Sequence, residues 1–227
     1  MEDIGSLFDS ISNRYDKFNH VASCGIDRLW RRQAINSLPK CSCVLDVAAG
    51  TADLSIAAVK LGKADMVVGI DISEGMLEVG RKKVGKLELI GAIELQVADC
   101  AELPFADNSF DAITCGYGVR NFAQLDRSLS EMYRVLKHGG QLRILEFTYP
   151  QNKFVRFFYD LYFTRIVPRI GHRITDNADA FIYFMNSVKG FAKGRDFLSI
   201  LERNGFVDTN YKSQTFGIST LYSGCKR

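Results

Sequence analysis

Cys43-Val-Leu-Asp-Val-Ala-Ala-Gly-Thr-Ala-Asp-Leu-Ser-Ile-Ala57 is an apolar run that turns on a single glycine and continues at helical spacing. Val44, Leu45 and Val47 suit a buried parallel strand, and Leu54, Ile56, Ala57, Val59 and Leu61 suit the helix that follows. Strand, tight turn and helix opening make a nucleotide-type site, because free N–H groups of the first helical turn point outward and Gly50 admits a ligand close to the backbone. A dinucleotide pyrophosphate needs several glycines, whereas Ala48, Ala49 and Ala52 surround Gly50 here. The turn therefore suits a ligand without a pyrophosphate, and Asp46 supplies a carboxylate able to hold an ammonium or face a sulfonium. S-adenosylmethionine carries both groups.

A second acid points the same way. Met66-Val-Val-Gly-Ile-Asp71 is another apolar strand that ends in a carboxylate, 21 residues past Gly50, where an acid can accept from ribose hydroxyls. An N-cap is the plain alternative for Asp71, although Ser73 could cap the next helix itself.

The 227 residues, 47% of them hydrophobic, suffice for one α/β domain with a lid, and the formal net charge of +3 declares no nucleic-acid partner. Six cysteines without a C-x-x-C pair, no leader-like segment and no apolar run of spanning length lead us to expect reduced thiols in a cytoplasmic protein.

Residues 1–38 read as an N-terminal helical arm or lid. Its first segment carries Tyr15-Asp16-Lys17-Phe18-Asn19-His20, and its second carries Leu29, Trp30, Ala34, Ile35 and Leu38. From residue 39 strands and helices alternate. The spacing predicts strands over 93–97, 110–116 and 142–147, and a helix over about 124–137 stopped by Gly139-Gly140. Such a chain forms a parallel, doubly wound sheet whose ligand lies at the strands' carboxyl ends. Asp46, Asp71, Asp99, Arg120 and Asn121 fall there, and Asp99 with the Cys100 N–H could read an adenine edge.

These stretches, with Asp71-Ile-Ser-Glu-Gly-Met-Leu77, Ala101-Glu-Leu-Pro-Phe105, Ser109-Phe-Asp111, Gly118-Val-Arg-Asn121, Glu131-Met-Tyr-Arg-Val-Leu136 and Leu145-Glu-Phe147, resemble the menaquinone and ubiquinone biosynthesis C-methyltransferase family. Tyr15-Asp16, Asn19, Arg28-Leu-Trp30, Asp179-Ala180, Tyr183 and Gly205-Phe206 extend the resemblance over nearly the whole chain. The chain departs from it at Ala49 and Ala52, where many relatives have glycine, and at Gly116, His20, Asp27 and His138.

The resemblance implies a class I S-adenosylmethionine-dependent methyltransferase: a Rossmann-like, seven-stranded, mostly parallel sheet with one antiparallel strand near the C-terminus. It implies cofactor contacts from Thr51, Asp71, Asp99 and Cys100, and Asp46, Gly50 and Gly116 complete the expected cofactor set. The implied reaction is C-methylation of a polyprenyl quinol, demethylmenaquinol first and a methoxy-polyprenyl benzoquinol second, with no metal and with a homodimer left open. Sulfonium methyl transfer needs alignment in a dry cleft, and the ring carbon attacks only once a neighbouring hydroxyl approaches an oxyanion. Arg120 is the expected oxyanion holder, oriented by Asn121, and an ion pair with Asp126 is its plain alternative.

A helical insertion over about 151–190 should cover the acceptor. Phe154, Phe157, Phe158, Leu161, Tyr162 and Ile166 share a helical face, and Lys153, Arg156, Arg165, Arg169 and Arg173 add charge around it. Such a helix can rest transiently on an anionic membrane or pack on the sheet. Two other classes compete. A nucleic-acid methyltransferase is disfavoured because the four prolines are never adjacent and no cysteine follows a proline. A non-catalytic S-adenosylmethionine-binding protein is kept by the alanine-rich turn.

Overall fold

The structure, a computed structural model, describes residue 23, residues 25–166 and residues 178–227. The first segment of the expected arm, with Tyr15 and His20, and Arg169 and Arg173 of the insertion lie outside the described residues.

Helix α1 (Asp27–Asn36) leads into β1 (Cys41–Val47), α2 (Asp53–Lys60), β2 (Ala64–Asp71), α3 (Glu74–Lys86), β3 (Ile93–Val97) and β4 (Phe110–Gly116). A 3-10 turn over Val119–Asn121 precedes α4 (Leu125–Val135) and β5 (Leu136–Phe147). Helices α5 (Lys153–Leu161), α6 (Ala178–Gly190) and α7 (Arg195–Arg203) follow, then β6 (Val207–Gln214) and β7 (Ser219–Cys225). The seven strands form one sheet in the order β3-β2-β1-β4-β5-β7-β6. Only β7 runs against the others, pairing antiparallel with β5 and with β6. The chain winds outward from β1 to β3, then returns to β4 on the other side of β1. The carboxyl ends of β1 and β4 therefore flank the topological switch point.

The strands form because they are buried on both faces. Val44, Leu45 and Val47 of β1, Ala112, Ile113 and Cys115 of β4 and Leu142, Ile144 and Leu145 of β5 are all sealed from solvent. A core of Ile35, Leu54, Leu77 and Val84 lies under α1–α3, and a second of Leu129, Met132, Phe197 and Leu201 lies under α4 and α7. A third cluster is aromatic: Trp30, Tyr117, Phe147, Tyr159, Phe163 and Phe184 gather past the ends of β4 and β5. Trp30 meets Phe147 edge-on at 6.2 Å, and its indole donates to Thr215 at 2.8 Å, so α1 is packed onto the sheet.

Two elements differ from expectation. Helix α4 ends at Val135 rather than Lys137, and the chain passes through Gly139-Gly140 as part of β5. The glycines do not cap a helix. Instead the Gly139 N–H donates to the Lys226 carbonyl and the Gly140 carbonyl accepts from Lys226 N–H, with Gly139 at φ +77°. Helix α5 likewise stops at Leu161 and gives way to a wide π turn over Tyr162–Ile166, which takes Phe163 inward instead of continuing the apolar face.

Candidate active site

The turn after β1 rests on three left-handed residues. Ala48, Gly50 and Ala52 have φ of 55°, 53° and 65°, so the conformation expected of Gly50 alone is also imposed on two alanines, which adopt it at a strain cost. The Gly50 N–H donates to Asp71 Oδ2 at 2.9 Å, and Asp71 Oδ1 accepts from Ser73 N–H at 3.0 Å. The end of β2 thereby fixes the turn after β1. Asp71 is not the cap of α3, since Ser73 takes that place and accepts from Met76 N–H at 3.1 Å. A Cβ on Gly50 would come within 3.3 Å of Met76 Cε, the mobile end of a flexible side chain, so the left-handed φ is the stronger reason for glycine here.

Asp46, expected among the cofactor ligands, sits deeper than Asp71 and Asp99. Its oxygens accept from Ser55 Oγ at 2.5 Å and from Thr114 Oγ1 at 2.8 Å, and the side chain is buried beneath the turn. Asp46 pairs with Thr114 in register across β1 and β4, which is why the hydroxyl reaches it. Burial pushes this carboxyl up to about 6, against the pull of the two hydroxyls and Arg31. Asp46 braces the turn from below through these two hydroxyls. Thr51 is buried too, its hydroxyl accepting from Lys83 Nζ at 3.1 Å. Lys83 also pairs with Asp53, Asp53 lies 3.6 Å from Arg31, and Arg31 pairs with Asp27, so a chain of charges ties α1 to the start of α2.

Asp99 and Cys100 follow β3 as expected. Asp99 is exposed, and its Oδ1 accepts from Ala101 N–H at 2.8 Å. The Cys100 thiol donates to Ser128 at 3.3 Å and is pushed up to about 11 by burial, which removes it as a nucleophile at neutral pH. Gly116 closes β4, and a Cβ on it would stand 3.3 Å from Leu54.

Arg120 and Asn121 sit on the 3-10 turn past β4, at the edge of the aromatic cluster. Asp126 is not the partner of Arg120, because it binds Arg203 and Asn204. Arg120 Nη1 instead donates to Glu146 Oε1 at 2.8 Å and to the Tyr117 carbonyl, its Nε donates to Ser187 Oγ at 3.2 Å, and its backbone N–H donates to Glu146 Oε2 at 3.2 Å. The guanidinium stacks over Phe147 and Phe184, 5.8 and 5.3 Å from the ring centres. Asn121 Oδ1 accepts from the Tyr183 hydroxyl at 2.9 Å. Helix α6 thus grips the turn twice, through Ser187 and Tyr183. Tyr117, at φ 63°, stacks on Phe147 at 4.2 Å.

Glu146, Tyr183, Ser187, Arg31 and Lys83 were not singled out as site residues from the sequence. Glu146 had a signal: a lone acid inside the apolar Leu142–Phe147 run either breaks the strand or is buried with a partner. Tyr183 was marked only by the resemblance, and Ser187, Arg31 and Lys83 carry no local mark. Among the described residues no three His, Cys, Asp or Glu side chains are grouped to hold a metal ion, and no helix is long and apolar enough to cross a membrane.

The sheet order, the lone antiparallel β7 and the turn at the switch point define a Rossmann-like, class I methyltransferase fold. The chain belongs to the ubiE/COQ5 methyltransferase family, which it matches over residues 1–226. It is 43% identical over 227 residues to the demethylmenaquinone methyltransferase of Bacteroides fragilis, an alignment spanning 99% of this chain and 93% of that one. It is 39% identical over 228 residues to the ubiquinone/menaquinone biosynthesis C-methyltransferase UbiE of Geobacter sulfurreducens, spanning 99% and 89%. A solved SAM-dependent methyltransferase from Thermotoga maritima superposes with a TM-score of 0.68 at 18% identity, covering 99% of this chain and 100% of the other, a likeness of fold alone.

Proposed function

We propose that this chain transfers the methyl group of S-adenosylmethionine to a ring carbon of a polyprenyl quinol. Demethylmenaquinol is the first choice of acceptor and a methoxy-polyprenyl benzoquinol the second. The observation that carries the proposal is the full-length family match, with a demethylmenaquinone methyltransferase among its 43% identical relatives.

The turn fits the methyl donor. A bare backbone at Gly50, an acid at Asp71 held at the end of β2 by two backbone N–H groups, and an exposed acid at Asp99 suit a ribose and an adenine edge without a pyrophosphate. Gly116 at the end of β4 lets Leu54 of α2 pack closely against the strand end beside the turn. When bound, the cofactor supplies an activated methyl group. Asp46 contributes indirectly, holding Ser55 at the start of α2 and Thr114 on β4 so that the two strand ends keep their spacing.

The acceptor's ring carbon becomes nucleophilic as its hydroxyl loses a proton, and phenols titrate near about 10 by analogy with tyrosine. Arg120 is our candidate to stabilise the developing oxyanion. Its partners Glu146, Ser187 and Tyr117 restrain the fork, so little reorganisation is needed at the moment of reaction. Asn121 orients the same end of the acceptor while Tyr183 fixes its amide. The aromatic cluster excludes water from the ring.

A polyprenyl acceptor resides in a bilayer, and the exposed face of α5 suits a route to it. Phe154, Phe157 and Phe158 are 73%, 64% and 52% exposed, with Lys153 and Arg156 on the same helix. We read α5 as a peripheral contact with the inner membrane surface of a cytoplasmic enzyme.

The test is transfer of label from S-adenosylmethionine to chemically reduced demethylmenaquinol in detergent, with the benzoquinol and bulk RNA in parallel. Label in the naphthoquinol alone, or in both quinols, supports the proposal and sets its range. Label in RNA, or in none with the cofactor bound, rejects it.

A further inference from the structure

Tyr149 follows the end of β5, and three cations gather on its ring. The guanidinium carbon of Arg156, on α5, stands 5.1 Å from the ring centre. The ammonium groups of Lys189, near the end of α6, and Lys193, in the loop before α7, stand 5.3 and 5.8 Å from it. The ring is held in place: its hydroxyl donates to Asp160 Oδ2 at 2.7 Å, and it meets Tyr159 edge-on at 5.6 Å. One cation over an aromatic face is ordinary packing. A ring has two faces, so at least two of these three cations share one and repel each other. Other surface cations are matched by carboxylates, as Lys40 is by Asp65, Arg127 by Glu102 and Arg203 by Asp126. Among the described residues none of Arg156, Lys189 and Lys193 makes an ion pair. Asp160 sits at the hydroxyl end of the ring and is engaged by it. Arg156 donates from Nε to the Pro150 carbonyl at 3.0 Å and from Nη2 to the Gln151 carbonyl at 3.2 Å, which sets its fork and leaves Nη1 to spare. The first turn of α5 holds Lys153 and no acid, so the positive end of the helix adds to the same region.

Crowded positive charge without an acid calls for an anion. A phosphate suits it, because a guanidinium and two ammonium groups can donate to separate oxygens of one group. Phe157 and Phe158, next along α5 from Arg156, are 64% and 52% exposed, so apolar surface adjoins the cluster. Phosphate beside hydrocarbon is the arrangement of a phospholipid at a bilayer surface. We propose that Arg156, Lys189 and Lys193, arranged round Tyr149, form a binding site for the phosphate of an anionic phospholipid headgroup. The inference rests on the membrane reading of α5 and deepens it: the phenylalanines give depth, and the cluster gives a preference for anionic lipid. Lys189 lies two residues past Ser187, which holds Arg120, so a headgroup at the cluster sets the Arg120 turn close to the bilayer that contains the acceptor.

The test is sedimentation of the full-length protein with phosphatidylcholine vesicles and with vesicles in which part of that lipid is replaced by phosphatidylglycerol, at matched ionic strength. The parent is expected to bind the anionic vesicles at least about tenfold more tightly. Arg156→Gln, Lys189→Gln and Lys193→Gln made together should remove most of that preference, while binding to phosphatidylcholine alone, set by the phenylalanines, stays within about twofold. Lys189→Gln with Lys193→Gln, which spares the Arg156 bonds to Pro150 and Gln151, should already lower the preference severalfold. Lys60→Gln, Lys82→Gln and Lys86→Gln, an equal change of charge on exposed lysines of α2 and α3, should leave it in place. Equal losses in the two triple variants, or no loss in the first, overturn the site while leaving the phenylalanine contact intact. Thermal stabilisation of the parent by inorganic phosphate, lost in the first variant, with no preference for anionic vesicles would assign the cluster to a free phosphate and reject the lipid. Failure of the parent to bind either vesicle overturns the membrane reading as well. Methyl transfer to a short-chain quinol in detergent, measured on the same proteins, keeps the quinol reading separate from all of these outcomes.

Discussion

The guanidinium of Arg120 and the carboxylate of Glu146 meet at 2.8 Å with their side chains 3% and 0% exposed, and they join the turn after β4 to the end of β5. Deleting one member of such a pair leaves an uncompensated buried charge. Glu146→Ala is therefore expected to destabilise the chain by about 3–5 kcal/mol. Urea unfolding should show a lower midpoint at unchanged slope. A loss below about 1 kcal/mol would mean that the pair does not hold the turn.

Arg120 itself separates binding from chemistry. Arg120→Lys keeps a positive charge but loses the fork that serves Glu146, Tyr117 and Ser187 at once. Turnover is expected to fall at least about 100-fold, with cofactor-induced thermal stabilisation retained. Asp71→Ala should do the reverse and abolish that stabilisation, since the Gly50 N–H loses its acceptor as well. Thermal shift with S-adenosylmethionine, run beside single-turnover transfer, distinguishes the two.

Asp46 gives the fold a pH dependence with a definite sign. Its carboxyl titrates at about 6 in the folded chain, against an ordinary value near 3.8. Between those values the folded state holds a proton that the unfolded state has released. The stabilisation from this proton is complete below about pH 4 and disappears as the pH rises through about 6. The window corresponds to about 3 kcal/mol. Asp46→Asn removes the titration and, because Ser55 and Thr114 can reorient their hydroxyls, should match the parent near pH 4 and exceed it by up to about 3 kcal/mol at pH 7. Parallel stability curves for the two proteins over pH 4–7 would show that Asp46 does not titrate there.

The two turns at the switch point touch through one missing atom. A Cβ on Gly118 would stand 2.4 Å from Ala48 Cβ, closer than two carbons approach. Gly118→Ala should cost about 1–3 kcal/mol. Ala48→Gly removes the obstructing methyl and also relaxes a left-handed alanine, so the double variant should recover most of that loss. A double-mutant cycle with additive effects would separate the turns.

For the α5 face, Phe154→Ser, Phe157→Ser and Phe158→Ser made together should reduce sedimentation with anionic vesicles severalfold while leaving methylation of a short-chain, soluble quinol intact. Binding of the parent should also weaken with salt, because Lys153 and Arg156 accompany the rings. Equal sedimentation of both proteins would place the membrane contact elsewhere.

Much of the sheet was readable from the sequence because its causes are local. Apolar runs bounded by acids or glycines gave β1 to β4, and the Gly50 turn fell at the expected place. The Gly139-Gly140 pair misled because its use was decided by Lys226, just past the end of β7 and 86 residues beyond Gly140. The same local view made Gly50 the sole left-handed residue of its turn, although closure between α2 and β1 also bends Ala48 and Ala52.

The sequence by itself determined the elements, their alternation and the set of polar residues at the strand ends, since periodicity, turn chemistry and burial preference act over a few residues. Only the tertiary structure decided what those residues do to each other. Register between β1 and β4 sets Asp46 against Thr114, from whose hydroxyl it accepts beneath the turn. Register between β4 and β5 sets Gly116 against Leu145, so that Glu146 emerges beside Arg120 and Asp126 is left to Arg203. Partners separated by dozens of residues are chosen by strand pairing and helix packing, and those arise from the whole buried core rather than from any one stretch of chain.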